Sequence, residues 1–166
     1  MIAIVGDGAF TMNGMNEMIT VKRYWESHFR ENPTLIFVVF NNEDLNQVTW
    51  EQRVLSGDPK FEGSQRIPNF EYAKYAELVG LKGLYCDSDS EIGEIWAEAL
   101  KADRPVVLEV KVDNETPPLP PHIKLEQAQE MAMAIAKGDP EAKGIMKKSA
   151  AGKWQEIKES LPGRGD

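Results

Sequence analysis

The chain has a single cysteine, Cys86, and only two histidines, His28 and His122, among 166 residues. One thiol cannot close an internal disulfide, which excludes a disulfide-stapled scaffold and fits a reducing, cytoplasmic setting. Cys86 lies in the apolar run Gly83-Leu84-Tyr85-Cys86, so packing rather than nucleophilic chemistry is expected of it. The histidines have no partners at ligand spacing and read as surface residues. Positive charge is also scarce: 19 Lys+Arg against 27 Asp+Glu leave a net charge of −8. A nucleic-acid partner would require a basic face to neutralise phosphates, and no run supplies one. No apolar run approaches the length of a membrane span. The apolar start Met1-Ile-Ala-Ile-Val lacks a basic lead-in and is cut by Gly6-Asp7-Gly8, which argues against a signal peptide. A chain that enters a strand at its first residue, without lead-in or cap, is expected to be a piece of a longer protein.

What the chain does have is enough apolar matter, 42% of residues, to build one domain with a core. Residues 2–5 and 35–40 are β-branched or aromatic runs without polar alternation, the pattern of central strands of a parallel sheet buried on both faces. Residues 83–86 and 105–112 give a third and a fourth strand, with Pro105 at the tolerated first position of the last. Between them lie helical patterns. Met18, Val21, Trp25 and Phe29 recur on one side of a helix over roughly 13–30, which Pro33 stops. Tyr72, Tyr75, Ala76 and Val79 share one face of a helix over 70–79, with Gly80 as its C-terminal cap. Ser88 and Glu91 have capping-box spacing ahead of a helix bearing Ile92, Ile95, Trp96, Ala99 and Leu100. Residues 48–55 read as a helical turn or two within a loop-rich stretch. The alternation predicts an α/β fold: a doubly wound parallel sheet flanked by helices, over 1–115. Residues 116–166 would be a Pro-rich segment (116–121) and a helical tail over 123–137 and 151–160. In that tail Trp154, Ile157 and Leu161 form an apolar stripe beside Lys147, Lys148, Lys153 and Lys158. The stripe is narrow and Glu156 and Glu159 interrupt the basic face, which argues against membrane contact.

In open α/β sheets ligands sit beyond the carboxyl ends of the strands. Two such ends are unusually polar, Gly6-Asp7-Gly8-Ala9 and Asn41-Asn42-Glu43-Asp44. If their strands are neighbours, Asp7 and Asn42 converge. A carboxylate, an amide oxygen and the backbone carbonyl of Asp44 are hard oxygen donors suited to Mg²⁺, leaving positions for phosphate oxygens and water. Gly6 and Gly8 would let backbone N–H groups of Gly8 and Ala9 approach a diphosphate, with the positive end of the next helix behind them. Each motif alone reads as an ordinary turn or strand end; the pair at matched ends favours function. A dinucleotide-binding module is disfavoured, since Gly6-Asp7-Gly8-Ala9-Phe10-Thr11 lacks the third glycine and puts a carboxylate where pyrophosphate would approach. A phospho-accepting signalling domain would want an acidic cluster where the asparagines stand. Met12, Met15 and Met18 read as core or interface filler.

These residues resemble a known family. Gly6-Asp7-Gly8, an intervening helix with Phe10, Met12 and Glu17-Met-Ile-Thr20, and an apolar strand ending in Asn41-Asn42 are similar to the thiamine-diphosphate signature. The loop from Asn41 to Glu51 resembles that of the pyruvate oxidase and acetolactate synthase group. Pro120-Pro-His-Ile-Lys-Leu-Glu-Gln-Ala128 resembles the C-terminal stretch of bacterial pyruvate:quinone oxidoreductases. The resemblance implies Asp7, Asn42 and the Asp44 carbonyl as Mg²⁺ ligands, and Gly6, Asp7, Gly8, Ala9, Asn42, Asp44 and Leu45 as thiamine-diphosphate contacts. It places Gln47, Val48 and Glu51 on the substrate and thiazolium side, although Glu51 reads equally as a solvated helix face. Two departures stand out: a longer stretch between Gly8 and Asn41, and Gln47 where a large apolar residue is commoner, which leaves the substrate open. The implied activity is decarboxylation of a 2-keto acid such as pyruvate by an oxidase or dehydrogenase, with FAD elsewhere in the whole enzyme, or acetolactate-synthase-like carboligation. The implied partners are N-terminal domains of the same enzyme, carrying the activating glutamate, and further copies in a dimer or tetramer. The chain alone would then anchor cofactor weakly and catalyse nothing.

Overall fold

Apolar strands without alternation need cover on both faces, and the sheet supplies that cover unevenly. The structure, a computed structural model, describes residues 1–31, 34–116 and 124–150. Pro33, most of the Pro-rich segment, His122 and the helix expected over 151–160, with Trp154, Ile157, Leu161, Lys153 and Lys158 of its stripes, lie outside the described residues. The chain divides into two compact units, one made of Met1–Asp44 and Ile67–Val112, the other of Leu45–Arg66 and the segment from Asp113 onward.

The first unit is a four-stranded, wholly parallel sheet in the order β1-β2-β4-β3. Its strands are β1 (Ile2–Gly6), β2 (Ile36–Asn41), β3 (Lys82–Cys86) and β4 (Val106–Lys111). The helix after β1 opens as α1 (Asp7–Ala9), widens to π geometry over Phe10–Gly14, is regular as α2 (Met15–Tyr24), and widens again over Trp25–Phe29. It therefore begins at Asp7, not near Asn13. Gly6 is extended (φ −78°, ψ 154°) and caps the helix directly, so Gly6-Asp7-Gly8 is a strand-to-helix junction rather than a loop.

Side chains alternate across the strands and feed two cores. On one face Val39 and Val107 pack with Phe10 and Met18 of the first helix and with Tyr72 and Ala76 of the helix Tyr72–Leu78. On the other, Ile36, Val38, Val106, Leu108 and Cys86 pack against Ala99 of the helix Ile92–Leu100. Helices thus cover both faces, as the alternation of elements predicts. Cys86 is core, as expected. β1 departs from expectation: it is an edge strand, and Ile2 and Ile4 are 48% and 67% exposed. They share the face of their register partners Ile36 and Val38, the face covered by Ile92–Leu100. That helix joins β3 to β4, and its core reaches β2 but contains no β1 residue. The expected capping box is not formed either; Ser88 Oγ pairs with Ser90 Oγ at 2.8 Å, and Glu91 occupies the cap position.

The second unit contains α3 (Asn46–Ser56), α4 (Glu62–Gln65) and, further on, α7 (Leu125–Ala136); α5 and α6 denote the first unit's Tyr72–Leu78 and Ile92–Leu100. α3 packs on α7 and closes on Gly57, whose left-handed φ of 60° suits glycine. Arg53 is buried and bidentate to Asp139 at 2.8 Å through both Nε and Nη2, while Nη2 also reaches Glu141 at 2.7 Å. Its guanidinium stacks on Trp50, 4.6 Å from the ring centroid. The Arg53 pair holds the Asp139 carboxyl below the usual carboxylate range, despite burial that pushes it up.

α5 lies close on β3. A Cβ at Gly83 would sit 2.0 Å from the backbone oxygen of Ala73, a contact only backbone movement could relieve. Gly83→Val is therefore expected to lower stability by about 2 kcal/mol or more, read from urea unfolding. A loss below about 0.5 kcal/mol would show that α5 does not rest on β3 in this way.

Candidate functional site

β1 and β2 are neighbours in register, Gly6 opposite Phe40, so the two polar strand ends are adjacent. Asp7 occupies the first position of the helix after β1 and is 2% exposed. Its Oδ1 accepts the N–H of Gly8 at 2.9 Å, and its Oδ2 reaches across to accept the N–H of Glu43 at 2.8 Å. Asp7 and the segment after Asn42 therefore meet, as the sequence requires for a shared site.

The β2 end is shaped to allow this. Asn42 Oδ1 accepts the N–H of Asp44 at 3.0 Å, a tight side-chain turn. Glu43 sits at φ 57°, the one non-glycine residue in the left-handed region among those described. Three contacts hold it there: its N–H on Asp7, its carbonyl accepting Ile67 N–H at 2.9 Å, and its carboxylate paired with the Lys111 ammonium. Asp44 is buried. Beside them Asn41, also buried, donates from Nδ2 to Glu109 Oε1 at 2.7 Å. Thr11 Oγ1 donates to the Asp7 carbonyl at 2.8 Å and pairs with the Tyr72 hydroxyl at 3.0 Å, pinning the first helical turn to α5.

Of the residues named from sequence, Asp7, Asn42 and Asp44 come together in the first unit with Gly6 and Gly8. Gly6 leaves open space: a Cβ there would meet nothing within 4 Å. Ala9 is exposed. Leu45, Gln47, Val48 and Glu51 belong to the second unit. Leu45 donates its N–H to the Gln65 carbonyl at 2.8 Å. Gln47 and Glu51, a helical turn apart on α3, are joined by an Nε2–Oε1 bond of 3.0 Å, and both are exposed, as is Val48. Glu109 and Lys111 were not singled out from sequence, and Asn41 and Glu43 were named only as parts of the polar strand end, with no role of their own. Glu109 carried a signal nonetheless: one carboxylate inside an apolar strand buried on both faces must find donors.

Burial pushes the Asp7 carboxyl above the ordinary aspartate range; the N–H groups of Glu43, Gly8 and Asn42 and the nearby Lys111 charge offset this only in part. Among the described residues no three His, Cys, Asp or Glu side chains gather as a metal cluster. The donors here are one carboxylate with amide and carbonyl oxygens, a hard, low-charge set that suits Mg²⁺ sharing its shell with phosphate oxygens. A buried carboxylate that, among the described residues, accepts from the backbone amides of Gly8 and Glu43, and a cradle open at Gly6, fit that group.

The family model described as "Thiamine pyrophosphate enzyme, C-terminal TPP binding domain" matches residues 1–110. The chain belongs to this family. Its likeness extends to a thiamine pyrophosphate-containing protein of Bacillus subtilis, YdaP, at 34% identity over 128 residues, 77% of this chain and 20% of that protein. The mitochondrial acetolactate synthase of Schizosaccharomyces pombe is 32% identical over 111 residues, 67% of this chain and 15% of the synthase. Among solved structures, the benzoylformate decarboxylase of Polynucleobacter necessarius superposes with a TM-score of 0.58 at 22% identity, over 71% of this chain and 20% of that one. This last likeness is one of fold. The chain thus spans a fifth or less of the length of these relatives. It is a thiamine pyrophosphate-binding domain of a multidomain enzyme family.

The Asp7 geometry carries a sign. A carboxyl raised in the folded state favours the protonated native protein, so its stabilising contribution is full below the ordinary aspartate range and is lost as pH rises through the raised value. In EDTA, the stability of the wild-type chain relative to Asp7→Ala is expected to grow as pH falls through the raised value toward the ordinary aspartate range, followed by urea midpoints. A difference that shrinks toward acid would mean that the amide donors, not burial, dominate.

Proposed function

We propose that this domain holds the diphosphate of thiamine diphosphate through Mg²⁺, for an enzyme that decarboxylates a 2-keto acid. The observation that carries the reading is the buried Asp7 carboxylate facing the Asn42–Asp44 turn across two adjacent strand ends, with the backbone N–H groups of Gly8 and Glu43 donating to it. The Asp7 carboxylate, the Asn42 amide oxygen and the Asp44 carbonyl would hold the cation, which wants six oxygens at about 2.0–2.1 Å. Gly6 would admit the diphosphate, and the start of the helix at Asp7 adds its positive end. When bound, thiamine diphosphate supplies an electron sink for loss of CO₂. The chain's own residues bind and orient it. Gln47, Val48 and Glu51, exposed on α3, are proposed for the substrate side by resemblance.

Pyruvate is the proposed substrate. Two continuations of its decarboxylation are supported by different observations. The segment from Pro120 to Ala128 resembles pyruvate:quinone oxidoreductases and favours oxidation, with FAD elsewhere in the whole enzyme. The acetolactate synthases among the relatives favour carboligation. With the intact enzyme, pyruvate-dependent reduction of an artificial acceptor marks the first, and acetolactate formation without acceptor the second.

The cofactor reading is tested by calorimetry on this chain. Heat of binding is expected for thiamine diphosphate with Mg²⁺, weak or absent for either alone, and weakened more than about tenfold by Asp7→Ala. Binding of NAD without metal, tighter than thiamine diphosphate with it, would overturn the proposal.

A further inference from the structure

Asn42 is flanked by two residues that are both gripped from the next strand. β4 lies beside β2 in parallel, with Lys111 opposite Asn41 and Glu109 opposite Val39. Being two apart, Glu109 and Lys111 project to one face. Glu109 is 3% exposed, and neither of its oxygens is idle: Oε1 accepts from Asn41 Nδ2 at 2.7 Å, and Oε2 accepts the N–H of Ala73 at 3.1 Å. Lys111 gives its ammonium to the Glu43 carboxylate. Asn41 and Glu43 are thus held from β4 on either side of Asn42.

Two features make this more than packing. A buried carboxylate in a strand is unfavourable unless fully satisfied, and an apolar residue would fill the same place at lower cost. Here the carboxylate joins the end of β2 to the start of α5. Lys111 places a cation near a candidate cation site, which electrostatics alone would disfavour. Its contact is with Glu43, whose left-handed backbone carries strain of the kind that surroundings must enforce.

We propose that Glu109 and Lys111 are positioning residues for the divalent cation, fixing the backbone on both sides of Asn42 so that its amide oxygen and Asp7 face one point. The inference rests on the assignment of Asp7 and Asn42 as cation ligands. Partners of this kind around a metal typically change its affinity by about 10–100-fold when removed.

The test follows Mn²⁺ binding to the 166-residue chain with thiamine diphosphate present, from the paramagnetic signal of free Mn²⁺. Asn41→Ala, which alters no charge, and Glu109→Gln are each expected to raise the Kd for Mn²⁺ about tenfold or more. Lys111→Met is expected to raise it about two- to fivefold, as befits a partly exposed ion pair, and Lys111→Arg to restore it. Charge alone predicts the reverse for Lys111→Met, since removing a cation should tighten Mn²⁺ binding. If Asn41→Ala and Lys111→Met bind Mn²⁺ as the wild type does, or tighter, while Asp7→Ala does not bind it, positioning is refuted and the ligand assignment stands. If Asp7→Ala binds like the wild type, or the wild type binds none, the assignment itself falls and positioning with it. Thermal melts accompany each variant. Should the buried substitutions unfold the chain, the partly exposed Lys111 pair decides.

Discussion

The hydrogen bond from the Glu43 N–H to the Asp7 carboxylate begins where the sheet's own bonding ends. The β1–β2 ladder pairs residues up to Gly6 and Phe40; beyond them the two chains separate, one into a helix and the other into a turn. A side chain then takes over the work of a backbone carbonyl and keeps the two strand ends together. Much follows from this. Glu43 must turn its N–H toward Asp7, and it does so at φ 57°, a region that disfavours residues with a Cβ by about 1–2 kcal/mol. That strain persists because the carbonyl and carboxylate of Glu43 are also tied, to Ile67 and Lys111.

The same bond leaves Asp7 electrostatically incomplete. Its donors are amides, which carry partial charges, while the ammonium of Lys111 is spent on Glu43. The carboxyl is buried, and its affinity for a proton rises accordingly. A group in that state gains more from a cation than an exposed aspartate would, because the cation cancels a charge that water no longer solvates. If Asp7 holds the proposed cation, stability without ligand and affinity for ligand are opposed at one residue, a tension common at binding sites.

The architecture was legible where burial alone decides it. Residues 36–40 and 106–108 are apolar without alternation, and both lie in interior strands with cores on either side. Residues 2–5 carry the same signature, yet β1 is at an edge, because an apolar run tells how much cover a strand can use and not which neighbours it receives. The strand order is set by crossovers that span dozens of residues. Gly6-Asp7-Gly8 was legible as the polar end of a strand but not as a helix start, since glycines read locally as a break; Gly6 instead adopts an ordinary extended cap conformation. The convergence of Asp7 with the Asn42 turn was legible from two motifs at matched strand ends. The Asn41–Glu109 bond was not, since its partners lie 68 residues apart and meet only because β3 crosses to the far edge and β4 returns to β2.

That return explains why β2 is the strand on which the site turns. In the order β1-β2-β4-β3 it is flanked by the first and last strands of the unit, so its end is approached from both sides. β1 delivers a carboxylate that accepts from the backbone of Glu43; β4 delivers a carboxylate that accepts from the side chain of Asn41 and an ammonium that pairs with the side chain of Glu43. An Asn at the end of an edge strand would have support from one neighbour only. Placing it on an interior strand lets two independent sets of contacts over-determine a turn that is strained by itself. In the proposed reading, the rigidity needed to hold an amide oxygen and a carboxylate toward one small cation comes from strand order, and the local sequence Asn41-Asn42-Glu43-Asp44 would not provide it outside this sheet.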